Sequence, residues 1–251
     1  MTFDLDTFPS VQDLVIQIED LTGKNVEFIF NDLPNVVLGN LKIARGSISH
    51  HIIIINNKYS DLRHSIASLQ MRFIIERSKI KSEEKDISPN PKIILQATNL
   101  AMKTLGSEDA QSLAKMVIGS IITQLMSVLP GTRVHRQIQV MQPELDMQHQ
   151  RMMKTLGKCN LTNINQPKLP IPDEIFKFHR ALLAVENLGL SLLVKDNSFS
   201  SPFKLLGLNQ VAEGLIFPLL EGNFDNLDYR ELVDLSSETI GMNNYYHWIK
   251  T

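Results

Sequence analysis

This chain of 251 residues has very little cysteine and a net charge close to zero. The single cysteine, Cys159, excludes a disulfide within the chain and favours a reducing compartment. A formal net charge of −2 gives no overall attraction to nucleic acid or to an anionic membrane. The first residues, Met1 to Asp6, are acidic and lack the charged-then-apolar pattern of a signal sequence. These features favour a cytoplasmic protein that binds neither nucleic acid nor membrane.

Common catalytic motifs are missing as well. The chain has no Gly-x-Ser-x-Gly elbow, no phosphate-binding loop and no Gly-x-Gly-x-x-Gly. None of its seven histidines has a second histidine at i+3 or i+4, and His50 and His51 are adjacent on a predicted strand, where they point to opposite faces. The sequence therefore assigns no catalytic residue, no metal ligand and no cofactor, and it favours a protein that is not an enzyme.

Two Asp–His pairs and one cysteine remain as candidates for acid–base or nucleophilic chemistry. Asp61 and His64 are three residues apart, as are Asp146 and His149, so each pair would touch on a helix. We interpret both as exposed pairs that stabilise their helices slightly, with half of an acid–base site as the alternative. Cys159 has a neighbouring lysine that could activate it, but an inert thiol is the favoured interpretation. We expect His179, which lies among apolar residues, to be a packed histidine.

What the chain does have is one long apolar stripe. From Ala110 to Leu129, apolar residues recur at the spacing that places them on one face of a helix. Glu108 and Asp109 suit the N-terminus of this helix, and Pro130-Gly131 predicts its end. The most apolar run within it has 14 residues, whereas a bilayer needs roughly 20. We therefore expect a buried core helix.

Periodicity over the whole chain predicts an α+β fold that is mostly helical. It consists of a small N-terminal β-sheet packed on helices, a central helical hairpin and a helical C-terminal region. These correspond to residues 1–88, 89–160 and 161–251, with one compact domain as the alternative.

The individual elements follow from apolar spacing and from glycine and proline. Predicted helices are Ser10–Leu21, Ser60–Ile80, Lys92–Leu105, Pro143–Leu156, Asp173–Leu188, Leu208–Glu221 and Asn226–Ile240. Predicted strands are Val26–Phe30, Val36–Ala44, Ser47–Asn56 and Leu190–Val194. The third strand is apolar on both faces, which is typical of a central strand. We expect Arg72–Asp86 to be a solvated charged face before a break at 88–91, Gly157 to stop a helix, and Asn160–Pro172 to be a linker.

The order of the first elements resembles the N-terminal part of the ImmA/IrrE-like metallopeptidases. Three short strands, the last ending Ile52-Ile53-Ile54-Ile55-Asn56, run into a helix from about Ser60. In that family such a strand precedes a helix with His-Glu-x-x-His, whose histidines bind zinc and whose glutamate is the general base. Here the histidine positions are Gln70 and Ile74, and the glutamate position is Met71. The resemblance, over residues 1–130, implies a peptidase-like fold that has lost zinc and catalysis.

Large apolar residues in two places are candidates for contacts with a protein partner. The candidates are Met141, Met147, Met152, Met153, Tyr245, Tyr246 and Trp248. The alternatives are that the methionines belong to the core and that the aromatic tail packs back on its own chain. The sequence thus favours a non-catalytic intracellular regulatory or scaffolding protein, acting through protein–protein contacts or self-association. The alternative is a hydrolase, zinc-dependent or cysteine-based, with a site assembled from distant residues.

Overall fold

The structure is a computed structural model that describes residues 3–164 and 169–250. Within these residues the chain forms nine α-helices and five strands. The helices are α1 (Pro9–Thr22), α2 (Arg63–Ser78), α3 (Pro91–Ala101), α4 (Ser107–Met141), α5 (Asp146–Asn163), α6 (Asp173–Val194), α7 (Ser201–Leu205), α8 (Asn209–Leu220) and α9 (Tyr229–Ile240). The strands are β1 (Asn25–Asn31), β2 (Gly39–Lys42), β3 (His50–Asn56), β4 (Glu84–Pro89) and β5 (Tyr246–Lys250). The predicted α+β, mostly helical fold class is confirmed.

The N-terminal sheet has the strand order β1-β3-β2. β1 runs parallel to β3, and β2 pairs antiparallel with its other edge. The isoleucine-rich β3 is therefore central, as predicted, and its Ile53 and Ile55 are fully buried. The sheet packs with α1, α2, α5 and the last turns of α4 around one apolar cluster, which we call the N-terminal core. Its largest fully buried side chains are Ile18, Ile53, Ile55, Ile66, Met71, Ile138, Leu145 and Met152.

Helix α4 does not end at Pro130-Gly131 as predicted but continues to Met141, which gives it a total length of 35 residues. A proline inside a helix has no N–H to donate, so the carbonyl four residues earlier, that of Met126, loses its usual partner. The hydroxyl of Tyr229 donates to this carbonyl at 2.7 Å. The proline is therefore tolerated because a residue of α9 supplies the missing donor.

The length of α4 lets it contribute to two apolar cores. Its apolar stripe is buried as predicted, with α3, α6, α8 and α9 around it, and this cluster is the C-terminal core. Beyond Pro130, Val134 and Ile138 of the same helix enter the N-terminal core. Among the described helices, α4 is the one long and apolar enough to cross a membrane by length and composition. Its place between the two cores is compatible with a soluble protein.

The charged stretch Arg72–Asp86 is not the solvated face that the sequence predicts. Arg72, Glu76 and Asp86 are all buried, because each has a polar partner inside the protein. The predicted break after it begins within β4, which pairs antiparallel with β5 near the C-terminus.

Two further helix ends differ from prediction. Gly157 lies inside α5, where a Cβ would come within 2.8 Å of the Phe199 ring, so this glycine permits close packing and does not stop the helix. The predicted strand Leu190–Val194 is the last part of α6. Residues 88 and 160, the predicted region boundaries, lie inside β4 and α5. Of the predicted linker, residues 165–168 lie outside the described part of the chain.

Candidate functional site

One cleft, of about 530 Å³, is bordered by α2, α4 and the segment that precedes α9. We call it the charged cleft. Glu76 accepts from Arg133 Nη2 at 2.5 Å through Oε2, and from Lys79 Nζ at 3.2 Å through Oε1. Arg133 also donates from Nη1 to the Leu227 carbonyl at 2.6 Å. The buried acid of this cleft is therefore neutralised by cations of the same chain.

A buried polar network lies behind the end of α4. Arg72 Nε donates to Gln142 Oε1 at 3.1 Å, and its Nη1 lies 3.5 Å from the Met141 sulfur. Gln142 Nε2 in turn donates to the hydroxyls of Ser10 at 3.0 Å and Ser68 at 3.2 Å. Burial lowers the pKa of Arg72, partly offset by the nearby glutamate of the charged cleft. The network ties the end of α4 to both α1 and α2.

The four candidate methionines have two different environments. Met152 and Met153 are fully buried and so belong to the interior, which leaves them no surface for a partner. Met141 and Met147 are 62% and 78% exposed, and the neighbouring Val140 is 74% exposed. We call Val140, Met141 and Met147, which flank the turn from α4 to α5, the apolar corner. Two of its three members, Val140 and Met141, also line the charged cleft.

The three candidate aromatics of the tail make contacts within the chain. Tyr246 Oη and Trp248 Nε1 both donate to Asp234 Oδ1, at 2.7 and 2.8 Å. Tyr245 packs edge-on against Phe178, with 4.9 Å between ring centroids. Burial raises the pKa of Tyr246 above its ordinary value. Strand pairing and these contacts anchor the tail to its own chain.

A second cleft, of about 520 Å³, is lined by α2, α4, α5, α6 and the segment that leads into β2. We call it the carboxyl cleft, because Glu186 of α6 lies in its wall. Burial raises the pKa of this carboxyl group to about 7, and a hydrogen bond from the Asn160 side chain opposes that rise. No Lys or Arg occurs among the described residues that line this cleft. Glu186 is therefore a desolvated acid for which the described lining of the cleft provides no cation.

A smaller apolar cavity of about 230 Å³ adjoins the carboxyl cleft, and we call it the side pocket. Ser120, Asn163 and His179 line both spaces. The apolar part of its wall includes Met116, Val117, Ile121, Ile171, Ile175 and Phe176. One continuous region thus combines an acid with an apolar compartment, which is the usual make-up of a small-molecule site.

His179 lies where the two spaces meet. Its Nδ1 is 2.8 Å from Gln124 Oε1, which accepts, so Nδ1 carries the proton and Nε2 is an acceptor. Nε2 is buried and has no partner in the described part of the chain. Burial lowers the pKa of His179, which keeps the ring neutral. The packed histidine predicted from the sequence is thus only partly satisfied.

The Asp61–His64 pair does not form as predicted. Asp61 pairs with Arg151 of α5 at 2.5 Å, whereas His64 is buried with its Nε2 2.8 Å from the Asp4 carbonyl. Burial lowers the pKa of His64. The interpretation as an exposed pair is wrong, because the histidine faces the N-terminal core.

The other predicted pair is altered in the same way. His149 is fully buried, and its Nε2 is 3.2 Å from His135 Nδ1. Burial lowers the pKa of His149 to about 4 and that of His135 well below its ordinary value. Asp146 instead accepts from Gln150 on the exposed side of α5. Both histidines are neutral structural groups.

The positions that the family resemblance assigns to zinc lie on α2. Met71 and Ile74 are buried in or near the N-terminal core, and Gln70 borders the carboxyl cleft. Within residues 3–164 and 169–250, no group of three or more His, Cys, Asp or Glu side chains is placed to hold a metal ion. Cys159 is a free, half-buried thiol. Comparisons with models of known families, with curated proteins and with solved structures find no match.

Proposed function

We propose that this protein is a non-catalytic intracellular regulatory or scaffolding protein that acts through protein contacts at the apolar corner. The observation that supports this proposal is the exposure of Val140, Met141 and Met147, each more than 60% accessible. Large apolar side chains that protrude together are typical of interaction surfaces. Methionine adapts its shape to a partner more readily than other apolar residues do.

The rigidity of the apolar corner favours the same proposal. Gln142 follows Met141 directly and is held by Arg72, Ser10 and Ser68 in the buried network. A surface that is already ordered loses little conformational entropy on binding, so more of the contact energy remains as affinity. The charged cleft beside it provides a polar rim, which is the usual surround of an apolar interface centre. The occupant is a protein partner or a second copy of this chain.

We also propose, as the sequence resemblance implies, that the N-terminal region is a peptidase-like fold without zinc. The support is that β3 runs through one 3₁₀ segment into α2, in the order that the resemblance predicts. Helix α2 carries Gln70, Met71 and Ile74 at the positions of the metal ligands and general base.

Charge substitutions at the apolar corner test the contact proposal. Val140→Lys and Met147→Lys should abolish self-association or partner capture, since each places a hydrated charge in the contact surface. Leu205→Lys is the matched control, because Leu205 is 89% exposed on α7, outside the corner. Sedimentation velocity reports self-association, and capture by the immobilised chain reports partners. Equal assembly and capture by all three variants and the parent chain would contradict the proposal.

A further inference from the structure

The carboxyl cleft and the side pocket are adjoining spaces that the apolar-corner proposal does not use. We propose that together they form one binding site for a small amphipathic amine, whose ammonium group pairs with Glu186 and whose apolar group fills the side pocket. This inference is independent of the proposed contact surface. Three observations on residues 3–164 and 169–250 support it: no Lys or Arg lines the carboxyl cleft, His179 Nε2 at the junction has no partner, and apolar walls lie beyond it.

The described surroundings of Glu186 do not balance a negative charge. Among the described lining residues, those of α2, α4, α5 and the β2 approach include no titratable side chain, and α6 adds His179. The hydroxyls of Thr123 and Ser127, which also line the cleft, donate to carbonyls of their own helix at 2.9 Å. These protons are therefore not available to a carboxylate. A desolvated carboxylate whose hydrogen-bond donor is the neutral Asn160 side chain is disfavoured, so a ligand that brings a cation supplies the charge that the described lining lacks.

His179 at the junction also favours a ligand that donates a hydrogen bond. Its Nε2 is a buried acceptor with no partner among the described residues, and an unsatisfied buried acceptor is destabilising until a donor reaches it. An N–H or O–H group of a bound molecule would satisfy it after a small movement of the ring. Glu186 lacks a cation in the described lining of its cleft, and His179 Nε2 lacks a donor there, so both favour a ligand with N–H groups. An anionic group placed beside Glu186 would be repelled by it and could not donate to His179. The exposed Arg180 also lines the side pocket, so the ammonium group belongs at the Glu186 end of the site.

The distance between Glu186 and the side pocket sets a minimum length for the ligand. His179 and Glu186 are seven residues apart on α6, which is about 10 Å along a helix. The apolar walls of the side pocket, including Val117 and Phe176, lie beyond His179. A ligand that reaches both the carboxyl group and these walls needs an amine joined to a chain or ring of several carbons. Methylammonium fits the charge requirement but not the length.

A matched series of ligands tests the chemical class. We expect octylamine to bind the purified chain in calorimetric titrations, and 1-octanol and octanoate to bind at least tenfold more weakly. The amine should bind about tenfold more tightly at pH 8 than at pH 6, because a carboxyl pKa of about 7 raises the carboxylate fraction by roughly that factor. Equal affinity for amine and alcohol, or no dependence on pH, would overturn the proposal.

Variants then test the residues. Glu186→Gln should bind octylamine and octanol equally, whereas Glu174→Gln, an exposed change in the first turn of the same helix, should behave as the parent chain does. Val117→Phe, which fills the side pocket, should weaken octylamine but leave the weak binding of methylammonium unchanged. Should Glu186→Gln fail to fold, the ligand series and its pH dependence on the parent chain still decide. Full amine affinity in a folded Glu186→Gln protein would overturn the proposal.

Discussion

Glu76 of the charged cleft and Glu186 of the carboxyl cleft are the same residue type in opposite electrostatic settings. Glu76 is paired with Arg133 and Lys79. Glu186 has a hydrogen bond from Asn160 but no cation among the described residues that line its cleft, and burial raises its pKa to about 7. The negative charge of Glu76 is therefore balanced by cations of the same chain, whereas the described lining of the carboxyl cleft has no cation to balance Glu186.

The different surroundings of Glu76 and Glu186 indicate different roles for the two clefts. A buried acid that is paired within the chain contributes to holding helices together, and removal of its partner is strongly destabilising. A half-buried acid whose pKa is raised by desolvation, and which lines a cavity, is a functional-site candidate because no described ion pair of the fold requires its charge. We expect mutations in the two clefts to affect stability with opposite signs.

The largest effect should come from Arg133 in the charged cleft. Arg133→Met removes the buried cation beside Glu76 and leaves only the exposed Lys79 among its cationic partners, so it should lower the free energy of unfolding by about 3 kcal/mol. Lys79→Met is the control, because Lys79 pairs with the same carboxylate but is more than half exposed. Its loss should cost less than about 1 kcal/mol. Urea unfolding at pH 7 compares them, and equal losses would show that Arg133 is not the principal partner.

The next effect has the opposite sign and concerns the carboxyl cleft. A carboxyl group whose pKa is 4.5 in the unfolded chain and about 7 in the fold destabilises the protein progressively as the pH rises between these two values, because the unfolded chain ionises first. Glu186→Gln removes that penalty, so it should stabilise the protein by about 2 kcal/mol more at pH 8 than at pH 5. Urea unfolding at both pH values measures this difference. A stabilisation that is the same at both values would mean that the charge of Glu186 is already balanced.

The smallest effect on the free energy of unfolding should come from Tyr229, which also lines the charged cleft. Tyr229→Phe removes the donor to the Met126 carbonyl and should lower the free energy of unfolding by about 1–2 kcal/mol. The double variant Tyr229→Phe with Pro130→Ala should recover part of this loss, because alanine restores the N–H within α4. Absence of recovery would mean that the hydroxyl does not compensate for the proline.

The fold could be predicted where its causes are local in sequence. The stripe of α4 and the isoleucines of β3 were evident because apolar spacing fixes both the element and its buried face. The end of α4 was not predictable, since the donor that lets it continue past Pro130 comes from Tyr229, 99 positions later. The burial of Glu76 was missed for the same reason, because Arg133 reaches it from another helix.

The candidate site was only partly visible in the sequence. His179 and Glu186 have a spacing of seven, which places them on one face of α6, and that spacing could have been noticed. The spacing matters because of the lining that α2, α4 and α5 contribute, whose described residues are polar or apolar but include no Lys or Arg. Such a lining is a property of the folded protein, because it combines segments that are far apart in the chain.

The most direct test of the distinction between the two clefts is the pKa of Glu186. The side-chain carboxyl carbon of Glu186 can be followed by NMR between pH 3 and pH 9, with Glu186→Gln used to assign its signal. We expect the carboxyl group to titrate with a midpoint at about pH 7, and we expect added octylamine to lower this midpoint. A midpoint near 4.5, unchanged by the amine, would show that the carboxyl group is solvated or already paired, and would contradict the distinction between the two clefts.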